Sequence, residues 1–244
     1  MIEEIDYTKE YDNSSRVENS DKILDQLLID AADFRETPNL IVDMDVEYGP
    51  EPRNKMDIYW PDNQAGNKRR APLVMFIHGG YWQMMDRSAF SHMAKGLNAN
   101  GFAVAIPSYT LCPDITIDGI ITEMRRACLV LFQRYKKTFT VIGHSAGGHL
   151  AACMMATDWE GMHSGLPHDL VRSAMGISGI YDLIPLINTP TNEAVGMDKK
   201  QAKAASPLHW MPDAIQRFEA WVGADESNEF HRQSRELAAR WNLL

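Results

Sequence analysis

Two kinds of hydrophobic run alternate along this chain. Pro72-Leu73-Val74-Met75-Phe76-Ile77 and Gly101-Phe102-Ala103-Val104-Ala105-Ile106-Pro107 are apolar at almost every position, the pattern of strands buried on both faces of a parallel sheet. Residues 88 to 99 suit a helix between them, and Ile120, Met124, Ala127, Cys128, Leu131 and Phe132 recur at the 3.6-residue period of a long helix. The β-branched run Thr140-Val141-Ile142 then passes through glycines into the helix-forming run Leu150-Ala151-Ala152-Cys153-Met154-Met155. Ala174-Met175-Gly176-Ile177-Ser178-Gly179 and Phe218-Glu219-Ala220-Trp221-Val222-Gly223 read as two further strands, followed by a helix from Glu229 to Trp241. Before this series, Asp45-Val46-Glu47-Tyr48 and Lys55-Met56-Asp57-Ile58-Tyr59-Trp60 alternate around Gly49-Pro50-Glu51-Pro52, the pattern of an antiparallel hairpin. Ile23, Leu24, Leu27, Leu28 and Ala31 mark one amphipathic helix within the polar residues 1 to 40, expected to lie across the surface.

Strand and helix in alternation imply right-handed crossovers. The expected class is therefore α/β: a doubly wound, mostly parallel sheet with an N-terminal antiparallel hairpin, in a single domain over residues 1–244. Residues 185 to 212, rich in Pro, Asn and Thr, read as an irregular excursion able to cover a pocket.

Composition narrows the partners. With 24 Lys and Arg against 33 Asp and Glu, the formal charge of −9 speaks against nucleic acid or an anionic membrane and mainly promotes solubility. The one basic cluster, Lys68-Arg69-Arg70, sits in a polar loop and reads as a solvated tip. Cys112, Cys128 and Cys153 are odd in number and far apart, so neither disulfides nor a zinc site is expected, and a reducing cytoplasm fits. The N-terminus lacks the basic and apolar regions of a signal peptide, and no apolar run approaches a membrane span.

The chemistry concentrates where strands end. Gly143-His144-Ser145-Ala146-Gly147 joins a strand to a helix, which is the arrangement of a nucleophile elbow. Such a turn holds the serine in a strained conformation, and a side chain at Gly143 or Gly147 would strike the neighbouring strand or helix. His78-Gly79-Gly80-Tyr81-Trp82, directly after a buried strand, offers unobstructed backbone donors, so the oxyanion hole is assigned to the amides of Gly80, Tyr81 and Ala146. The acid that orients the base should follow a later strand. Asp225 is the first choice, Glu226 the second and Asp182 the third.

These stretches, with Ile177-Ser178-Gly179-Ile180-Tyr181-Asp182-Leu183, Ser206-Pro207-Leu208 and Gly223-Ala224-Asp225-Glu226-Ser227, resemble the kynurenine formamidases (arylformamidases), in the hormone-sensitive-lipase-like branch of the α/β-hydrolases. The likeness covers most of residues 44 to 242. It implies an α/β-hydrolase fold and hydrolysis of an aryl formamide such as N-formylkynurenine by a Ser/Asp/His triad, in tryptophan breakdown. No metal or other cofactor is implied. Carried over, Ser145 is the nucleophile and Asp225 the acid, while Trp82 and Tyr181 are candidates for an aromatic-accepting pocket.

The base departs from the pattern. In that family it lies in a loop beyond one further strand, whereas no histidine here follows His231. The expectation is a chain lacking the last strand, the histidine loop and the final helix, whose exposed sheet edge favours a homodimer or exchange of elements. His231 is a weak substitute base. His78 and His144 are expected as structural hydrogen-bonders, and His92, His149, His163, His168 and His209 as solvated or locally bonded. Two other readings share these residues: a carboxylesterase for small acyl or aryl esters, and a non-catalytic protein of the same fold that binds a ligand or partner.

Overall fold

A computed structural model describes residues 5–62, 70–212 and 216–241; Lys68 and Arg69 of the basic cluster lie outside them. In chain order the elements are α1 (Tyr7–Tyr11), α2 (Ser20–Arg35), β1 (Ile41–Glu47), β2 (Lys55–Trp60), β3 (Leu73–Ile77), α3 (Ala94–Ala99) and β4 (Ala103–Pro107). There follow α4 (Ile117–Tyr135), β5 (Phe139–His144), α5 (Ala146–Met155), α6 (Trp159–Met162), β6 (Val171–Ile177), α7 (Thr191–Val195), α8 (Lys199–Ala204), β7 (Arg217–Trp221) and α9 (Asn228–Trp241). The seven strands form one sheet in the order β1-β2-β4-β3-β5-β6-β7. β1 and β2 pair antiparallel, β2 joins β4 antiparallel, and every pairing from β4 to β7 is parallel. The hairpin and the doubly wound sheet are thus as the hydrophobic pattern implies.

β3 and β4 are buried at every position because apolar layers cover both faces. On one face Met75, Ile77, Ala105 and Val141 pack against Ile120, Met124 and Leu131 of α4 and Leu150 and Cys153 of α5. On the other, Phe76, Val104 and Ile106 meet Phe90, Ala94 and Phe34. Each Val, Leu, Ile, Met or Phe side chain among these, when fully buried, contributes about 1.5–3 kcal/mol. Helix α4 begins at Thr116, whose hydroxyl accepts the Gly119 N–H, and ends at Lys136 in the left-handed region. The single helix read over 88–99 is a 3-10 segment, Arg87–Met93, followed by the short α3. The Asp86 side chain caps it by accepting the Ser88 N–H at 2.8 Å.

β5 and β6 differ from this pattern. Val141, Gly143, Ala174 and Gly176 are buried, whereas Thr140, Ile142, Ser173, Met175 and Ile177 on the opposite face are only half-buried. In β7 Phe218 is buried against Tyr181 and Trp241, while Trp221 is 57% exposed. Among the described residues β7 forms an edge of the sheet. Helix α2 is docked through Ala31 and Phe34, and Ile23, Leu24 and Leu28 stay exposed, so only its C-terminal half uses the apolar stripe. Residues 185–212 are more regular than their composition suggests. Asp198 and Gln201 close a capping box on α8, and Asn192 grips the Met197 backbone from both sides. No helix among the described residues is long and apolar enough to cross a membrane.

Candidate active site

Ser145 lies between the end of β5 and the start of α5 at φ 55, ψ −119, a region that side chains rarely occupy. The elbow holds because its neighbours have no side chains. A Cβ on Gly143 would stand 2.0 Å from the Gly147 carbonyl oxygen, and one on Gly147 would stand 2.0 Å from the carbonyl oxygen of Ile77. The Ser145 N–H donates to the Ile177 carbonyl at 2.8 Å, tying the turn to β6. The residue is 8% exposed, and its hydroxyl makes no hydrogen bond to any described residue.

The loop after β3 runs alongside. A Cβ on Gly79 would meet the Ser145 Cβ at 3.1 Å and the His144 carbonyl oxygen at 2.9 Å, so this peptide reaches the serine only as glycine. Gly80, Tyr81 and Trp82 all have positive φ, at 110, 47 and 60. The backbone N–H groups of Gly80, Tyr81 and Ala146 have no acceptor among the described residues, while the Gly80 carbonyl accepts from Gln83 and Met84. Three donors without acceptors thus lie on the elbow and on the loop that passes beside it. His78 supports the loop from below: its Nδ1 bonds the Gly79 carbonyl at 2.7 Å, and its ring stacks on Tyr109 at 4.3 Å. Burial lowers its pKa to about 4, so the ring is a neutral structural piece.

Trp82 is fully buried and meets the ring of His149 edge-on at 5.3 Å. Tyr181 is also fully buried, its ring against Phe218 and its hydroxyl over Gly176 and Gly179. Both are core residues, which corrects their assignment to a pocket wall: a ligand finds no surface on them. His149 has the expected local bond, to the Cys153 sulfur one turn on at 3.5 Å, and a distant one as well. It reaches the Ala205 carbonyl at 2.7 Å and joins α5 to the end of α8, and burial lowers its pKa to about 4.

On the acid side the two neighbouring carboxylates differ. Asp225 is exposed and makes no hydrogen bond to a described residue. Glu226 turns inward: its Oε1 accepts from the Ser178 hydroxyl at 2.6 Å and the Gly223 N–H at 2.7 Å, and its Oε2 is buried without a partner. Its charge is felt at His144, Tyr81 and Tyr181. Asp182, the third choice, binds the Ile184 N–H and faces Arg232.

His144 is solvent-exposed, yet the protein crowded beneath its ring holds its pKa below the ordinary imidazole value, against the pull of Glu226. Ser145 and His144 thus lie at the carboxyl end of β5 on a face open to solvent at His144, the bowl of the proposed site. None of the eight histidines bonds Ser145 or Glu226; His231 turns to the Ala224 carbonyl at 3.3 Å. The bowl is distinct from two cavities elsewhere. One of about 640 Å³ lies between residues 50–53 and 110–126. The other, of about 360 Å³, lies between the start of α4 and Val195, Met197 and Gln201, which is where the 185–212 segment covers space. No cluster of described residues could hold a metal ion.

Comparison with known proteins agrees with this architecture. Residues 56–227 match the BD-FAE family. Over 200 residues the chain is 32% identical to kynurenine formamidase of Danio rerio, covering 79% of this chain and 66% of that protein, so it spans slightly under two thirds of the relative's length. It is 28% identical over 153 residues to an isoprenylcysteine alpha-carbonyl methylesterase of Arabidopsis thaliana, covering 59% of this chain and 35% of that one. A crystal structure of a putative thioesterase from Silicibacter sp. superposes with a TM-score of 0.85 at 32% identity, over 98% of this chain and 88% of the other. By its strained elbow, its sheet and these relatives, the chain belongs to the BD-FAE family, as a formamidase-like α/β-hydrolase.

Proposed function

We propose that the protein is a serine hydrolase of the arylformamidase type, cleaving N-formylkynurenine-like aryl formamides to the arylamine and formate. The observation that carries this is Ser145, strained at φ 55 beside three amides that lack acceptors. In this reading Ser145 Oγ attacks the formyl carbon, and the Gly80, Tyr81 and Ala146 amides hold the oxyanion. The arylamine leaves with a proton, and water then releases formate and frees the serine. Glu226 takes the role of the acid in place of Asp225, because its carboxylate is anchored by two donors and keeps one buried oxygen for a third. A histidine held by that oxygen would be oriented as the mechanism requires.

The test is labelling with a fluorophosphonate followed by peptide mapping, then kcat/KM for N-formylkynurenine and 4-nitrophenyl acetate. Modification at Ser145 and a preference for the formamide support the reading; a strong preference for the ester replaces it with a carboxylesterase. That second reading draws on the similarity to a methylesterase. The expected cytoplasmic location and homodimer are part of the same proposal.

A further inference from the structure

Tyr11 lies in α1, outside the sheet, in a stretch whose sequence shows no motif. It is 4% exposed, and its polar atoms are all engaged. The hydroxyl donates to Glu229 Oε1 at 2.7 Å and accepts from Gln233 Nε2 at 2.7 Å. The backbone carbonyl accepts the Tyr81 hydroxyl at 2.5 Å. One residue earlier, the Glu10 carboxylate accepts the Glu229 N–H at 2.9 Å, satisfying a free donor in the first turn of α9. Gln233 continues the chain of bonds: its Oε1 accepts the N–H groups of Tyr181 and Asp182 at 2.5 and 2.7 Å, and its Nε2 donates to the Asp182 carbonyl at 3.0 Å. Arg232 neutralises the buried Glu229 with two bonds of 2.6 and 2.7 Å.

These contacts join three pieces of the site that are distant in sequence. Tyr81 belongs to the oxyanion loop. Helix α9 starts directly after Glu226. Tyr181 and Asp182 end the loop that carries Ser178, the donor to Glu226. A non-glycine residue at positive φ costs about 1–3 kcal/mol and persists only where its surroundings fix it. Tyr81, at φ 47, is fixed by its phenol. Burial and the charges of Asp12 and Glu226 keep that phenol protonated, hence a donor, far above neutral pH.

We propose that the segment around Tyr11 is a strap that positions the catalytic machinery, holding the oxyanion loop through Tyr81 and the acid loop through Glu229 and Gln233. Tyr11 and the Tyr81 side chain are positioning residues, and the proposal rests on the serine-hydrolase reading above. The variants are Tyr81→Phe and Tyr11→Phe, which keep the rings and every backbone N–H.

Amide hydrogen exchange should quicken in residues 79–85 for Tyr81→Phe, and in both 79–85 and 223–233 for Tyr11→Phe, with β3 to β5 unchanged. Fluorophosphonate labelling of Ser145 should slow about tenfold, and kcat on 4-nitrophenyl acetate should fall likewise with KM within about twofold, the signature of a lost transition-state contact. Unchanged exchange overturns the strap. Faster exchange with unchanged labelling shows an anchor that does not position and overturns the proposal too. Labelled wild type with equally labelled variants leaves the serine reading standing, whereas an unlabelled wild-type Ser145 overturns that reading and the strap with it.

Discussion

The two sides of the bowl are built differently. On the side of β3 and β5 the proposed device is the backbone itself: glycines let peptides approach within distances a side chain forbids, and the proposed donors are main-chain amides. On the side of β6 and β7 the proposed device is a side chain, Glu226, held by Ser178 and Gly223 beyond a strand that forms a sheet edge among the described residues and whose Trp221 is exposed. A site made of backbone tolerates almost no substitution but needs no particular rotamer. A site made of one carboxylate depends on which of two adjacent acids the turn directs inward.

The largest effect belongs to the shared centre. With a histidine base in place at the free Glu226 oxygen, Ser145→Ala should lower kcat/KM on formamide and ester alike, by up to on the order of a million-fold; without that base the loss is smaller, because the triad acts as a unit, and turnover unchanged in that variant would place the chemistry elsewhere. On the acid side, with the same histidine in place, Glu226→Gln should cost roughly a hundred- to ten-thousandfold in kcat, while Asp225→Asn should stay within about twofold. The reverse order in steady-state rates would return the role to Asp225.

On the backbone side the readout is stability. Gly143→Ala puts a Cβ 2.0 Å from a carbonyl oxygen, and urea denaturation should show a loss above about 4 kcal/mol or no folded protein. Gly96, on α3 with nothing within 4 Å of an added Cβ, should gain roughly 0.5–1 kcal/mol on change to alanine. A comparable response at the two glycines would break the contrast.

The buried histidines beneath the bowl give the pH dependence. His78 and His149 titrate near 4 in the folded protein, below the ordinary value of 6.5. Below that ordinary value the unfolded chain binds more protons, so stability should fall as pH drops from there toward 4. The loss is on the order of 3 kcal/mol per histidine at the acid end. A flat stability from pH 6.5 to 4, measured by denaturant midpoints, would contradict their burial as neutral rings.

The sequence makes the backbone side legible because strain leaves a mark: only glycine fits Gly143 and Gly147, so the motif follows from geometry. β3 and β4 are equally readable, since burial on both faces demands unbroken apolar runs. The acid side leaves no such mark. Asp225 and Glu226 are adjacent carboxylates in one turn, and the choice depends on where Ser178 and Gly223 offer donors, a fact of tertiary structure. Trp82 and Tyr181 read as pocket residues because aromatic side chains serve cores and ligands alike, and only burial separates the two uses. The Tyr11 network is invisible for a similar reason: both partners of its hydroxyl lie more than 200 positions away, with a separation of 218 residues to Glu229 and 222 to Gln233.

The elbow also constrains how such a chain can change over generations. Every single substitution at Gly143 or Gly147 adds at least a Cβ, and that atom already collides with a main-chain oxygen whose own position is set by the sheet. No intermediate residue offers a gentler step. Drift can therefore explore the rim, the 185–212 segment and the identity of the acid, while the turn that carries Ser145 is inherited whole or lost.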